Sequence, residues 1–545
     1  MSSTVKPAGF TINPPGPLSR ERTIARPGFN RWLLPPCALA IHLCIGMAYG
    51  FSVFWLPLTH QLGGGAAACS ADISVWQALT TTQCEWRVSD LIVMYELFFV
   101  FLGSAAALFG GWLERAGPRK AGLVATACWC GGLVISALGI RSHQLWLMWL
   151  GSGAIGGIGL GLGYISPVST LIKWFPDRRG MATGMAIMGF GGGALVGAPL
   201  ADLLMAGFRT PGADPGVWQT FLVLAVGYAV FMTGGSLGYR VPPEGWQPPG
   251  FTASTARRLV SQHNVALRNA HRTPQFWLIW AVLCLNVTAG IGVISVASPM
   301  LQEIFGGSLI GQPGVALAGL SPGQRQAVAA VAAGFTGLLS LFNIGGRFFW
   351  ASLSDRIGRK LTYAAFFVLG MGLYAASPGL AHAGQQALFV AAMGIILSMY
   401  GGGFATVPAY LADVFGTRFV GAIHGRLLTA WSVAGVAGPF LISSLRDAEI
   451  AAGVKRDGVY DVTLYILAGL LAVGFVANLA IHPVAARWWM PADDAPAAEA
   501  GPVQGSFGIG KGGPTPACLA AWACVAIPIA WGVWITLQKA LVLFS

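Results

Sequence analysis

The stretch LLSLFNIGGRFFWASLSDRIGRK, residues 338–360, sets one guanidinium, that of Arg347, inside an apolar run that ends where Asp355 begins a charged cluster. A guanidinium offers a planar fork of N–H donors that a carboxylate can accept with two parallel hydrogen bonds. Two further groups stand in similar surroundings and suit proton transfer: Glu96 in MYELFFVF and His42 in the first apolar run. Such placements are costly, about 2.5 to 3.5 kcal/mol for a charge in hydrocarbon even on lenient scales, so these side chains are expected to face a protein interior, a cavity or a pathway. His42 and Tyr49 lie seven residues apart and share a helix face.

The elements that must position these residues follow from composition. With 55% hydrophobic and 10% charged residues and a mean hydropathy of +0.65, the chain reads as a polytopic membrane protein rather than a water-soluble domain. Runs of about 20 apolar residues, enough to cross roughly 30 Å of hydrocarbon, recur along almost the whole chain. They fall near 33–58, 90–113, 121–140, 144–172, 181–206, 217–239, 275–301, 326–350, 361–381, 386–411, 420–445, 460–482 and 517–541. The fold class is therefore all-α, with twelve spans and a thirteenth after a gap.

Residues 1–31 are Pro-rich and basic without a signal-peptide core, and read as a cytoplasmic tail. With that start, 23 of the 32 Lys and Arg fall on the cytoplasmic side and eight on the other, which fixes the orientation. The net charge of +12 is thereby a matter of topology, and no nucleic-acid partner is implied. The expected setting is a cell membrane, a bacterial inner membrane, with the N-terminus cytoplasmic and the C-terminus outside if the thirteenth run crosses.

Seven of the nine cysteines lie in the spans, where a free Cys serves as a small apolar residue. Cys69 and Cys84 share the first outside loop and are either a disulfide or two free thiols. GSGAIG (151–156) satisfies G-x-G-x-x-G and GGSLG (234–238) satisfies G-x-S-x-G, but each lacks the strand context its chemistry needs. No H-E-x-x-H, Walker loop or zinc spacing is found, so neither a membrane enzyme nor a primary pump is indicated. No catalytic residue, metal or cofactor is assigned. The glycine-rich runs GSGAIGGIGLGLGY and MGFGGGALVGAP suit close packing and sliding of helices.

The chain also repeats itself. GGWLERAGPRK (110–120) and ASLSDRIGRK (351–360) superpose with Glu114 on Asp355, Arg115 on Arg356 and Gly117 on Gly358, an offset of 241. Gly184 falls on Gly425 with the same shift, and Pro199 on Pro439 with 240. Two parallel six-helix halves, 32–239 and 274–482, account for this, with 240–273 as a cytoplasmic linker, 483–516 as a flexible second linker and 517–545 as the extra helix. Symmetry of this kind is typical of transporters that alternate access around a site between the halves.

The repeated G-x-x-x-[DE]-R-x-G-[RK]-[RK] element resembles the signature loop of the major facilitator superfamily, although Pro118 replaces a basic residue in the first copy and Ala351 the leading Gly in the second. The resemblance implies that Glu114, Arg115 and Arg119, with Asp355, Arg356 and Arg359, form gate loops that latch the halves in one state. Within that superfamily, NRWLLPPCALAIHLCIGMAYGFSVFWLPL, YISPVSTLIKWFPDRRGMATGMAIMGFGGGA and LLTAWSVAGVAGP are similar to the oxalate/formate antiporter family. That likeness, over about residues 30–482, implies a secondary carrier of small carboxylates working by exchange or with protons. Arg347 matches the carboxylate-binding basic residue of the family's eighth helix, and Trp431 falls where its second cation, a lysine, is expected. One missing cation points to a substrate with one carboxylate. Tyr49, Tyr164 and Tyr400 lie on helices that line the cavity in the superfamily, and His42 and Glu96 are the candidate proton carriers. Lys173 and Asp413, at matching ends of the fourth and tenth spans, read as interfacial. The last span resembles single-span small subunits described for such transporters. The implied partners are a small organic anion and the lipid bilayer, with the carrier monomeric. The competing reading is a carrier-derived membrane sensor or scaffold that binds without translocating.

Overall fold

A computed structural model of the chain describes residues 16, 18–19, 21–59, 61–62, 67, 69, 73–86, 88–210, 214–243, 246–248, 263–490 and 515–544. Most of the expected N-terminal tail, the middle of the 240–273 linker and nearly all of the 483–516 linker lie outside the described residues. Within them the structure is helical, with isolated bridges such as Ile24 against Val241 in place of strands.

The long helices are α1 (Arg31–Phe51), α2 (Val88–Ala116), α3 (Pro118–Arg141), α4 (Leu145–Trp174), α5 (Arg179–Phe208) and α6 (Val217–Gly238). They continue as α7 (Pro274–Phe305), α8 (Pro322–Ile357), α9 (Arg359–His382), α10 (Gln386–Phe415), α11 (Val420–Ala451), α12 (Asp461–Leu479) and α13 (Pro516–Ala540). Among the described residues twelve helices are long and apolar enough to cross a membrane. The 36-residue α8, which carries Arg347, is additional to these twelve.

Local chemistry sets the helix starts. Proline stands in the first turn of α3, α7, α8 and α13, where its missing N–H costs nothing. Thr273, Ser321 and Thr515 accept a backbone N–H as N-caps, and Ser321 forms a reciprocal capping box with Gln324. The turns α2–α3 and α8–α9 each pass through one glycine with positive φ, Gly117 at 84° and Gly358 at 88°, a region that disfavours a side chain. These are the glycines of the repeated loop.

Two helices depart from regular winding. The first span tightens to 3-10 geometry over Gly46–Phe54, and the fourth opens to π geometry over Trp149–Gly156. The outer surface is apolar: Leu108, Val226, Val230, Phe349 and Val476 are exposed, as expected of helices facing lipid rather than water.

Helix α13 packs along α1, α5 and α8. Near its start the Trp522 indole donates to the carbonyl of Trp32 (3.1 Å), and Gln386, at the start of α10, donates to the carbonyl of Leu543 beyond its end (3.4 Å). It thus runs from one end of the bundle to the other.

Candidate functional site

Arg347 is completely buried. Its Nε donates to Asn343 Oδ1, one turn earlier on α8, at 2.8 Å, and Nη1 donates to the carbonyl of Ile187 on α5 at 3.1 Å. The approach of α8 to its neighbours requires glycine. A Cβ on Gly401 of α10 would lie 2.6 Å from Asn343 Oδ1, and one on Gly184 of α5 would lie 2.7 Å from the Arg347 carbonyl. Among the described residues no carboxylate pairs with Arg347, and its Nη2 has no hydrogen-bond partner. A buried cation held by neutral acceptors alone is expensive unless an anion completes it.

Aromatic side chains close around this group. The guanidinium carbon lies 5.6 Å from the Phe190 ring centre and 5.5 Å from that of Phe404. Trp431 on α11 forms a wall against Phe404 (4.4 Å), Tyr164 (5.1 Å) and Phe190 (5.2 Å). Tyr49 of α1 and Tyr400 of α10 share a hydroxyl–hydroxyl hydrogen bond of 2.6 Å. The structure therefore brings all five expected binding residues, Arg347, Trp431, Tyr49, Tyr164 and Tyr400, into one cage built from α1, α4, α5, α8, α10 and α11. Three buried donors in it have no partner: Arg347 Nη2, the Tyr164 hydroxyl and the Trp431 indole N–H. Convergent unpaired donors are the complement of an acceptor-rich anion.

Of the proton-carrier candidates, His42 lies beside the cage, its ring 5.3 Å from Tyr164, but both its nitrogens meet backbone carbonyls, those of Ala186 and Tyr164. Glu96 is half-buried on α2, and no hydrogen bond or ion pair joins it to the cage among the described residues. The sequence reading did not single out Asn343, Phe190, Phe404 or His424. His424, on α11 beside Tyr164 (6.1 Å between rings), is buried with both ring nitrogens unpartnered.

The two repeated loops sit at one end of the bundle and engage equivalent helix starts. Asp355 accepts from the backbone N–H of Gly180 (3.0 Å) and Met181 (3.1 Å), capping α5. The Glu114 carboxylate lies where a Cβ on Gly421, at the start of α11, would approach within 2.5 Å. Gly180 and Gly421 are themselves 241 residues apart. Carboxylates at helix N-termini meet unpaired N–H groups and the positive end of the dipole.

The two copies differ in their ion pairs. Glu114 pairs with Lys173 of α4 (2.6 Å), whereas Arg359 joins Asp355 (2.8 Å) to Asp413 of α10 (3.3 Å). Lys173 and Asp413 are thus latch partners as well as helix-end residues. Arg119 and Lys360 occupy matching places elsewhere: Arg119 donates to the Tyr239 carbonyl just past α6 (3.3 Å), and Lys360 to the Leu479 and Ile481 carbonyls at the end of α12 (both 2.8 Å). Arg115 and Arg356 are exposed and take no part in these contacts. A cavity of about 340 Å³ lies under the first loop, away from the cage, lined in part by Glu21, Leu113, Glu114, Thr170, Lys173 and Val241.

Near the opposite end, Cys69 and Cys84 are joined by a disulfide with a Cα–Cα distance of 4.9 Å.

A bundle of long apolar helices, with a buried cation cage between two sets of repeat-related helices and a charged latch at one end, is the build of a multi-pass membrane carrier. The chain belongs to the major facilitator superfamily, whose family model matches residues 37–439. It is 25% identical over 410 residues to the oxalate:formate antiporter of Oxalobacter formigenes, covering 75% of this chain and 83% of that one. It is 27% identical over 443 residues to the apicoplast pyruvate carrier 1 of Toxoplasma gondii, covering 71% and 78%. Among solved structures it shares its fold with FucP in the outward conformation (TM-score 0.54, 15% identity, 82% of this chain and 99% of that one). The proton:xylose symporter XylE bound to 6-bromo-6-deoxy-D-glucose is similarly related (TM-score 0.56, 14% identity, 82% and 94%).

Proposed function

We propose that this protein is a secondary active carrier of small carboxylates, with Arg347 binding the carboxylate in the aromatic cage. The observation that carries this reading is the fully buried guanidinium with no carboxylate partner among the described residues and one nitrogen left unpaired. The relatives named for oxalate, formate and pyruvate support the same substrate class. Trp431, an apolar wall beside Arg347, the one cation of the cage among the described residues, favours a monocarboxylate over a dicarboxylate. In this reading the halves are 32–239 and 274–482, the latch end faces the cytoplasm in keeping with its basic loops, and alternate opening of the two ends moves the anion by exchange or with a proton.

The test is binding and counterflow in proteoliposomes with labelled formate, oxalate, lactate, pyruvate and longer monocarboxylates. Removing a hydrogen bond to a charged group costs about 1.5 to 3 kcal/mol, roughly ten- to over a hundredfold in affinity. Arg347→Ala should lose at least that much, and Arg347→Lys should fall between, keeping the charge but not the bidentate fork. Well-folded Arg347→Ala protein with unchanged affinity would sink the proposal.

A further inference from the structure

His424 is only 1% exposed, yet among the described residues neither of its ring nitrogens has a hydrogen-bond partner. A neutral imidazole has one donor and one acceptor, and leaving both unpaired in a buried position is costly, so the position is suited to a partner that comes and goes. His42, by contrast, has a carbonyl at each nitrogen.

The placement of His424 indicates what that partner is. It stands on α11 three residues after Gly421, where the Glu114 carboxylate sits, and seven before Trp431 of the cage. It therefore lies between latch and cage, and its ring faces Tyr164, whose hydroxyl is one of the unpaired cage donors. The start of α11 packs against α2, α4 and α10, and against the short helix Leu267–Ala270. The titratable and charged groups that these elements bring are Asp90, Tyr95, Glu96, Glu114 and Arg115; Tyr164 and Lys173; Tyr400, Tyr410 and Asp413; and Arg268, with Arg426, Arg446, Asp447 and Glu449 on α11 itself. Glu114 is engaged by Lys173, Asp413 by Arg359, Arg446 by Glu303, and Arg426 by His271 and the Leu267 carbonyl. Among the described residues the aromatic ring nearest the imidazole is that of Tyr164, and no ion pair or hydrogen bond engages its nitrogens.

We propose that His424 binds the proton that travels with the anion, its imidazolium taking over from Arg347 as the carboxylate passes between cage and latch. This rests on the carboxylate reading above. The balance is simple: imidazole takes one proton to give imidazolium, one of its N–H groups can then donate to the anion, and one monocarboxylate with one proton moves no net charge. On the far side the proton returns to water and the imidazole is neutral again. The missing second cation of the cage is then conditional, present only while a proton is bound.

The test is proton uptake in lightly buffered detergent solution on adding sodium formate, lactate, pyruvate or oxalate to the full-length protein. The wild type should take up one proton per anion bound. His424→Gln, which cannot titrate, and His424→Arg, which is permanently charged, should each take up none. If wild type binds no member of this panel, the carboxylate reading fails and takes the proton site with it. If it binds one in an Arg347-dependent manner without taking up a proton, or if His424→Gln still takes up one, the His424 assignment alone fails. Protein labelled with 15N-histidine carries the test without a substitution: a ring that becomes doubly protonated on anion binding supports the assignment, and its absence overturns it.

Discussion

Trp431 makes ring contacts with Tyr49, Phe99, Tyr164, Phe190 and Phe404, and its own N–H stays unpaired. Its neighbour Tyr164 also buries an unpaired hydroxyl, so the two residues give opposite signals on stability and binding. Tyr164→Phe removes a hydroxyl that no group among the described residues satisfies, and should leave the melting temperature unchanged or raise it. If that hydroxyl serves the anion, affinity should fall about two- to tenfold, the usual range for a neutral hydrogen bond. Equal loss of stability and affinity would instead mark Tyr164 as packing. Trp431→Lys should shift preference toward oxalate by supplying a second cation, measured as the oxalate-to-formate affinity ratio. The sequence revealed Arg347 because a guanidinium interrupts an apolar run at a cost. Phe190 and Phe404 carried no such signal, since phenylalanine is ordinary in a membrane helix. His424 was hidden differently, beside Arg426 near a helix start, where a polar residue reads as interfacial until its burial is seen.

The latches act between elements. Asp355 closes α8 onto α5 through two backbone hydrogen bonds, whereas Glu114 lies beside the start of α11 but bonds to Lys173 of its own half, so the restraint across the halves is carried by the second loop. Asp355→Asn keeps an acceptor but loses charge at the α5 start, and Asp355→Ala loses both. Losing an N-cap typically costs about 0.5 to 2 kcal/mol, so Asp355→Ala should favour the latch-open state by roughly two- to thirtyfold. Faster alkylation of a cysteine introduced as Ser169→Cys, beside Glu114, would report it, and an unchanged rate would count against the latch. The repeat of the two loops was plain in the sequence, as were the glycines at their turns. What each basic residue does was not. Arg115 and Arg356 follow the acids by one residue, a turn of about 100° around a helix that carries them to the surface. Arg119 and Lys360 look like latch residues by motif, yet they hold the ends of α6 and α12, and the latch cation of the second copy is Arg359, whose counterpart in the first is Pro118.

At the scale of the whole molecule, α13 packs across both halves, on α1 and α5 of the first and α8 of the second. Trp522 and Val525 pack with Leu39, Leu43 and Met188 of α1 and α5, while Thr536 sits against Gly337 of α8, where an added Cβ would lie 2.8 Å from its hydroxyl oxygen. Its opposite face exposes Leu519, Ile527 and Trp534. A chain ending at Met490 should therefore melt at a lower temperature than the full protein in the same detergent. A reporter fused after Ser545 that fluoresces only in the cytoplasm should stay dark if α13 crosses, and thiol labelling of unreduced protein should miss Cys69 and Cys84. The length of the span was readable from residues 517–541; its partners were not, because both of its faces are apolar and only shape tells the packed one from the lipid-facing one. The attachment of α13 has a quantitative consequence. An independent companion helix would occupy the seam according to its own abundance, and a cell could change that occupancy. Here one chain carries both, which fixes the ratio at one helix per bundle, so dosage of a separate partner cannot control that seam.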